Sequence, residues 1–276
     1  MNSSIQAKFL KFCFVGGSGA LLNFGITYGL TEWFGLWYML SLFIATGIAM
    51  VWNFTFNHYW TWGAEKKHDD PDYDWYAYYH GNPIQKYWKQ TLAQKIARMA
   101  EGRVALDIGC GSSPLCTVLQ QEHYLGFDAD AGKIEFMHSQ NIEGAKFGCQ
   151  TIDQLCFDVD NRPQKRVFDT VICSEVIEHF ATHIEAMRLL RLLNKMSYEG
   201  GAVIVATPNY DSRLWRGIEA LYKRLMPQAY GDGHIQGFNE KNLIELASLV
   251  GLKHEKTDSV LGADLICKFR KVCEVD

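Results

Sequence analysis

Two long runs without charged residues set the strongest limit on how this chain can fold. Twenty consecutive residues, from Phe12 to Thr31, contain no Asp, Glu, Lys, Arg or His, and a second such run extends from Trp33 to Asn57. Each run is long enough to cross a hydrocarbon layer of about 30 Å as an α-helix. Because the connection between the runs is short, we expect a tight transmembrane hairpin with helices at about 12–31 and 36–57.

A cleaved signal peptide is the competing interpretation of an N-terminal apolar run. Its apolar region is shorter and precedes a cleavage site of small residues, whereas here a second span follows. Lys8 and Lys11 precede the hairpin and Lys66 and Lys67 follow it, while the turn carries only Glu32. The positive-inside rule therefore predicts a multi-pass protein of the cell membrane with both ends in the cytoplasm.

Small and polar residues within the two runs predict close helix packing. The stretch from Gly16 to Ala20 allows the helices to approach, and Asn23, Asn53 and Asn57 are costly in lipid unless they face a partner. Two interpretations stay open, which are packing within the hairpin and an interface with a second copy or a lipid headgroup.

The pattern KFCFVGGSGALLNFGITYGL, followed by NFTFNHYWTW, resembles one two-helix half of the GtrA-like family. Members of that family are small four-span proteins linked to polyprenyl-phosphate-sugar metabolism. The resemblance covers only the N-terminal hairpin, so it implies half of a four-span unit. A homo-oligomer through the transmembrane hairpin would restore four spans.

Beyond residue 64 the composition is that of an ordinary soluble domain. It carries 25 of the 27 basic residues and 30 of the 31 acidic residues, a net charge of −5. Nucleic-acid binding needs a clustered basic surface, so we expect no nucleic-acid partner. The eight cysteines include no CxxC pair, and several lie in apolar runs, which predicts reduced, buried thiols and no disulfide or zinc site.

The order of elements predicts an α/β domain over residues 82–276, separated from a membrane segment 1–64 by a linker at 65–81. Asn82 and Pro83 have the positions of an N-cap and a first-turn proline for a helix to about residue 100. From Val104 onward, the runs VALDIG, HYLGFD, FDTVICS and GAVIVATP alternate with helical stretches such as 184–196. This alternation predicts a parallel sheet covered on both faces.

Glycines and an acid follow the first two predicted strands. The first ends in Asp107-Ile108-Gly109-Cys110-Gly111, and the second ends in Gly126-Phe127-Asp128. A glycine turn lets the backbone approach a ligand, and an acid at the end of the second strand can accept hydrogen bonds from both ribose hydroxyls. A dinucleotide fingerprint would need glycine at position 114, which is Pro114.

The DIGCG turn, then FDTVICSEVIEHF, then GG and ATPN at the fifth strand resemble, in order, the motifs of class I S-adenosylmethionine-dependent methyltransferases. The resemblance implies a Rossmann-like, seven-stranded methyltransferase sheet. It also implies that Asp107, Gly109 and Gly111 line the methionine part of S-adenosyl-L-methionine and that Asp128 binds its ribose. Asp153, after the third-strand region QTI, is a candidate near adenine, with a solvated loop acid as the alternative.

Acidic and imidazole side chains follow the fourth strand. Offsets of three and four put Glu175, Glu178 and His179 on one face if this segment is an α-helix. The Glu-x-x-Glu-His pattern resembles ubiquinone-biosynthetic O-methyltransferases and small-RNA 2′-O-methyltransferases. In the latter a further histidine completes a metal site, and His234 has a similar position. Two alternatives stay open, a Mg²⁺ or Mn²⁺ site formed by these four residues and a metal-free site with His179 or His234 as general base.

The leading hypothesis is therefore a membrane-anchored, S-adenosylmethionine-dependent O-methyltransferase with metal assistance. Its expected acceptor is a membrane lipid, either a polyprenyl-linked sugar or a quinone-type ring. One alternative is a methyltransferase that needs no metal, and another is a non-catalytic accessory or sensor of polyprenyl-lipid transport. A predicted amphipathic helix from Ser212 to Met226, rich in arginine and lysine, either docks on lipid headgroups or packs on the domain as a lid.

Overall fold

The structure, a computed structural model, describes residues 3–61, 70–161, 168–225 and 236–272. It contains two compact units, a helical hairpin and an α/β domain. In chain order, the helices are α1 (Ser3–Glu32), α2 (Tyr38–Phe56), α3 (Tyr73–Tyr79), α4 (Pro83–Met99), α5 (Leu115–Val118), α6 (Ala131–Ser139), α7 (Ile152–Asn161), α8 (His183–Met196), α9 (Arg213–Leu225) and α10 (Glu240–Ser248). The strands are β1 (Val104–Ile108), β2 (His123–Asp128), β3 (Ala145–Cys149), β4 (Phe168–Ser174), β5 (Ser197–Pro208), β6 (Leu252–Val260) and β7 (Asp264–Lys271).

The predicted hairpin is confirmed as two apolar helices, each long enough to cross a membrane. They pack closely at Gly19, where a Cβ atom would lie only 2.3 Å from the side-chain oxygen of Asn53. Polar side chains pair across the hairpin, since the Asn23 amide donates to Thr46 Oγ1 at 3.0 Å and the Trp52 indole to Ser18 Oγ at 3.0 Å. Asn23 and Asn53 therefore face the neighbouring helix, as their cost in lipid requires.

The α/β domain contains the predicted seven-stranded sheet, in the order β3-β2-β1-β4-β5-β7-β6. Strands β1 to β5 pair in parallel, but β7 runs antiparallel to both β5 and β6. The prediction of a parallel sheet is thus wrong only for β7, because β6 runs antiparallel to β7 and therefore parallel to the other strands. This difference matters for function because the first residue of β7 lies at the same edge as the last residues of β4 and β5.

Helices cover both faces of the sheet. On one face, the buried side chains of α4 pack against Ala105, Ile172, Ile204 and Ile266. On the other face, α7, α8 and α10 bury their apolar side chains against β1, β4 and β5. Helix α4 begins as predicted, because the Asn82 side chain accepts hydrogen bonds from the backbone of the first turn and Pro83 follows at the first helical position.

Two local predictions are wrong. The segment predicted as a linker contains α3, which forms because Tyr73 and Ala77 are buried and Trp75 packs edge-on against Phe136, at 5.9 Å between ring centroids. Residues 62–69 of that segment lie outside the described chain. The QTI run does not end a strand, since β3 ends at Cys149 and Thr151 exchanges hydrogen bonds with Gln154 to begin α7.

The cysteines within the described ranges are all free. Four of them are buried, as predicted, namely Cys110, Cys156, Cys173 and Cys267. Cys13 and Cys149 are exposed, which differs from the prediction, and Cys273 lies outside the described residues.

Candidate active site

The glycine turn after β1 has a backbone that only glycine adopts easily. Gly109 has a φ of 77° and Gly111 a φ of 51°. A Cβ atom at Gly109 would also lie 2.3 Å from the Val176 side chain. The turn is fixed to β2, because the amides of Gly109 and Cys110 donate to the Phe127 carbonyl at 2.7 and 3.0 Å. Glycine at position 109 therefore satisfies both the positive φ of the turn and the close approach of the Val176 side chain.

Asp128 lies at the end of β2, directly beside this turn. Its carboxylate accepts hydrogen bonds from the amide of Gly111 and the amide of Asp130, both at 2.8 Å. The structure thus brings together Asp128, Gly109 and Gly111, which the sequence analysis assigned to one ligand. A carboxylate at this position fits ribose hydroxyls because it can accept further hydrogen bonds.

Asp107 lies below the turn on β1 and is buried. The Tyr124 hydroxyl donates to its Oδ2 at 2.6 Å, while its Oδ1 has no hydrogen-bond partner in the described part of the chain. Burial raises the pKa of Asp107 to about 7, aided by the charge of Asp128 and opposed by the Tyr124 hydrogen bond. The buried, unpartnered oxygen fits a site for a polar ligand.

Lys89 is a site residue that the sequence analysis missed. From α4 its Nζ reaches Glu175 at 2.5 Å and Asp74 of α3 at 3.1 Å, and Asp74 adjoins Gly111. Burial lowers the pKa of Lys89, but the charges of Glu175 and Asp74 outweigh burial and hold it well above its usual range. A fixed positive charge therefore lies beside the glycine turn. The sequence shows only that Lys89 belongs to the helix before β1. Its contact with the site depends on Asp74 of α3, a helix that the sequence analysis did not predict.

The residues predicted to bind metal do not share a helix face. Glu175 has a φ of 57°, and only Ile177–His179 form a short 3₁₀ turn, so the assumed helical spacing is wrong. Glu175 pairs with Lys89, whereas Glu178 is buried and accepts a hydrogen bond from Thr207 at 3.0 Å. Burial, together with the charge of Glu175, raises the pKa of Glu178 to about 8.

A metal ion needs deprotonated ligands that converge. Among the residues that the structure describes, no group of three or more His, Cys, Asp or Glu side chains has the geometry to hold one. His179 is exposed, and His234 lies outside the described residues. The described part of the predicted metal set therefore does not fit a metal ion.

A third buried acid, Asp264, lies at the same edge of the sheet. It is the first residue of β7 and pairs in register with Pro208, the last residue of β5. The Trp88 indole donates to Asp264 Oδ2 at 2.8 Å, and the Trp88 ring lies 6.4 Å from that of Trp215. Burial and the charge of Glu175 raise the pKa of Asp264 well above its usual range.

Asp153 is more exposed than the other acidic candidates. It is exposed on α7 and pairs with Arg188 at 2.6 Å. It borders a surface hollow lined also by Cys149, Gln150 and Phe157, next to the end of β3. Gln150 donates its backbone N–H to the Asp128 carbonyl, so this hollow adjoins the end of β2.

Comparison with known proteins agrees with this geometry. The Methyltransferase domain family matches residues 84–257, which is more than half of the chain. The chain belongs to this family. Residues 11–84 match the GtrA/DPMS transmembrane domain. The chain thus combines a methyltransferase domain with a GtrA-like membrane domain.

The similar proteins differ in what they methylate. Probable tRNA methyltransferase 9B of Bos taurus is 27% identical over 141 residues, which is 51% of this chain and 29% of that protein. Ubiquinone biosynthesis O-methyltransferase of Bordetella avium is 26% identical over 167 residues, which is 58% of this chain and 64% of that protein. The match therefore spans less than two thirds of each relative.

Among solved structures, magnesium protoporphyrin IX methyltransferase of Synechocystis, with bound S-adenosylhomocysteine, superposes with a TM-score of 0.52 at 18% identity. The match covers 72% of this methyltransferase and 93% of that chain. At this identity the likeness shows the fold alone.

Proposed function

We propose that this methyltransferase transfers a methyl group to an oxygen of a membrane lipid, either a polyprenyl-linked sugar or a quinone-type ring. The observation that carries the proposal is the union, in one chain, of a GtrA-like hairpin and a methyltransferase domain. Sixteen residues, 57–72, separate α2 from α3. A connection this short keeps the domain at the membrane surface, where a lipid acceptor is concentrated in the same plane.

In this proposal the segments 1–64, 65–81 and 82–276 are the anchor, the connection and the catalytic domain. The anchor is a multi-pass element of the cell membrane, and the catalytic domain and both termini face the cytoplasm. The lysines before and after the two apolar runs support that orientation. Two copies associating through the hairpin would assemble four spans.

The residues around the glycine turn fit S-adenosylmethionine. Gly109 and Gly111 give the turn its positive φ angles, Asp128 has carboxylate oxygens that can accept hydrogen bonds from the ribose, and Lys89 pairs with Asp74 beside Gly111. Asp107 lies beneath the methionine part, and Asp153 borders the hollow that we assign to adenine. The bound cofactor supplies an activated methyl group. The protein contributes by aligning the acceptor oxygen with that group, which replaces a bimolecular encounter by a fixed geometry.

The acceptor oxygen loses a proton during transfer, and His179 or His234 is the proposed general base. His179 follows β4 closely, and its exposure leaves it accessible to solvent for releasing the proton. Imidazole is suited to this role because it can accept a proton on one ring nitrogen and release it again.

Metal assistance is the part of the sequence-based hypothesis that the described residues do not favour. A chelator experiment separates the two mechanisms. We expect purified enzyme to keep its transfer rate in excess EDTA, because Glu175 is paired with Lys89 and the described residues contain no group of three side chains that could hold a metal ion. A loss that added Mg²⁺ or Mn²⁺ reverses would instead support a metal site completed by His234.

Mass spectrometry of lipids tests the proposed acceptor. Lipids from cells with and without the gene are compared, and we expect one lipid class to be lighter by one methylene in the cells that lack it. A matched strain that produces the Asp128→Ala protein should show the same lighter lipid. Identical lipid profiles in all three strains would refute a lipid acceptor.

A further inference from the structure

Exposed apolar side chains lie at the carboxyl edge of the sheet, where the glycine turn also lies. Leu261 follows the end of β6 at Val260 and is 59% exposed. Since β6 runs parallel to β1, its end and the end of β1 lie at the same edge. Ile84, in the first turn of α4, is 68% exposed, and Tyr87 is exposed on the following turn. Packing within the domain therefore leaves these side chains available for another apolar partner.

The backbone at Leu261 has a conformation that leucine adopts only at a cost. Its φ is 52° and that of Gly262 is 71°, and the amide of Ala263 donates to the Val260 carbonyl at 2.9 Å. Tight turns with two positive φ angles usually contain Asn or Asp followed by Gly, because a bulky side chain is strained there. Because Leu261 is exposed, burial within the domain does not offset this strain. A strained, exposed leucine at this edge indicates a contact outside the domain.

Side-chain contacts join this turn to the first turns of α4 and α9. The Trp88 indole donates to Asp264, the third residue after Leu261, at 2.8 Å. The Trp88 ring lies 6.4 Å from that of Trp215, which follows the exposed Leu214 in α9. The exposed apolar side chains are therefore carried by three elements that contact one another. The edge surface is defined by Ile84, Tyr87, Leu214 and Leu261.

Basic residues accompany the edge surface. The first eight residues of α4 and the first six of α9 contain no acidic residue. They contain Lys86, Arg213 and Arg216, besides Lys89, which pairs with Glu175. Both arginines are exposed. Beyond residue 64 the net charge is −5, so a local excess of basic residues favours an anionic partner at this edge.

We propose that the edge surface docks on the headgroup layer of an anionic bilayer, with its apolar side chains in the acyl boundary and its basic residues near the phosphates. The membrane hairpin favours this occupant, because only sixteen residues, 57–72, connect α2 to the domain. Docking turns the carboxyl edge, and with it the glycine turn, toward lipid. The inference rests on the proposed function and deepens it, because it names the face through which a lipid acceptor reaches the site.

The test uses full-length enzyme with an environment-sensitive fluorophore on Leu261→Cys. Cys13, Cys149 and Cys273 are replaced by serine so that labelling is directed to the new thiol. The enzyme is reconstituted into vesicles of equal parts phosphatidylcholine and phosphatidylglycerol, with or without a lipid that carries a nitroxide just below its headgroup. We expect the nitroxide lipid to quench the fluorophore, and we expect quenching to weaken in vesicles of phosphatidylcholine alone.

Leu249→Cys, labelled in the same way, is the matched control. Leu249 is also an exposed leucine, but it precedes the start of β6 and so lies at the opposite edge of the sheet. The strand spans nine residues, which separates the two positions by roughly 30 Å. The fluorophore on Leu249→Cys should remain unquenched. Equal quenching at both positions would overturn the inference, because it would show that the hairpin alone holds the domain near lipid.

Ile84→Glu, added to the labelled Leu261→Cys protein, tests whether α4 belongs to the same surface. A glutamate in the first turn stabilises a helix, so the fold is kept, whereas its charge opposes anionic headgroups. We expect quenching at position 261 to fall to the level of the Leu249→Cys control. Quenching that Ile84→Glu leaves unchanged would contradict a shared surface. Fluorescence in micelles that rises with enzyme concentration would also overturn the inference, because it indicates contact with a second copy.

Quenching requires no methyl transfer, so this result is independent of the acceptor. Docking without a methylated lipid would keep the edge surface and refute only the lipid acceptor. A methylated lipid without quenching would refute docking alone.

Discussion

Asp128 contacts the backbone of the glycine turn and, in the proposed assignment, the ribose of the cofactor. It fixes the glycine turn through the amides of Gly111 and Asp130, and it faces the expected ribose. Asp128→Ala should weaken S-adenosylmethionine binding by about 1.5–3 kcal/mol, the usual value of a hydrogen bond to a charged group. Calorimetry on the purified protein measures this change.

Asp128→Asn serves as the control in that experiment, since the amide keeps one acceptor oxygen and the shape of the side chain. It should lose less affinity than Asp128→Ala does. Equal affinity of the wild-type and alanine proteins, both folded by circular dichroism, would refute the ribose assignment.

The raised pKa of Asp107 predicts how the free energy of unfolding changes with pH. Its folded pKa of about 7 lies above the value in an unfolded chain, so the folded state holds a proton that the unfolded state has lost. The free energy of unfolding therefore falls as pH rises from about 4 to 7, by up to about 1.4 kcal/mol per unit, and this contribution is constant above pH 7.

Asp107→Asn removes this titration and keeps an oxygen that can accept from Tyr124. Melting temperatures of the two proteins in the same detergent should converge at pH 4.5 and differ most near pH 7.5, with the variant the more stable. A constant difference across this range would show that Asp107 does not titrate as described.

At the scale of elements, α9 is the helix that the sequence predicted, but Trp215 does not lie on its exposed side. Its ring packs against Trp88 and Tyr210, whereas Arg213, Leu214 and Arg216 are exposed. Trp215→Glu should therefore reduce transfer about equally in liposomes and in detergent micelles, because it disturbs packing against Trp88 and Tyr210 within the domain.

Leu214→Glu tests whether α9 docks on the membrane. The leucine is 46% exposed and is flanked by arginine, so a glutamate here opposes contact with anionic headgroups. We expect a loss of transfer in anionic liposomes and none in micelles. An equal rate in both would show that α9 is a lid that does not contact lipid.

Local sequence signals predicted the glycine turn, Asp128 and the start of α4, because each depends on residues close in the chain. Helix α3 was missed because its aromatic side chains are ordered by packing against distant residues such as Phe136. Asp264 can be seen in the sequence as an acid before an apolar run. Its position beside the end of β5 follows only from the antiparallel direction of β7, which the sequence did not predict. The assumed α-helical face failed because the left-handed backbone of Glu175 interrupts the periodicity.

For the whole molecule, the main expectation is that the catalytic domain and both termini face the cytoplasm. Phe34 lies in the turn between α1 and α2 and is 74% exposed, and Cys149 is an exposed thiol of the methyltransferase domain. With the domain in the cytoplasm, a membrane-impermeant maleimide should label Phe34→Cys in intact cells. Cys149 should react only after permeabilisation. Reversed labelling would refute the cytoplasmic orientation.

Consecutive residues of α4 contact carboxyl groups at the ends of two different strands. Lys89 pairs with Glu175 after β4, and Trp88 donates to Asp264 at the start of β7. A ligand that binds one position of this helical turn more tightly than another changes the affinity for any second ligand that depends on the same turn. Reciprocity then requires the second ligand to change the affinity for the first by the same factor.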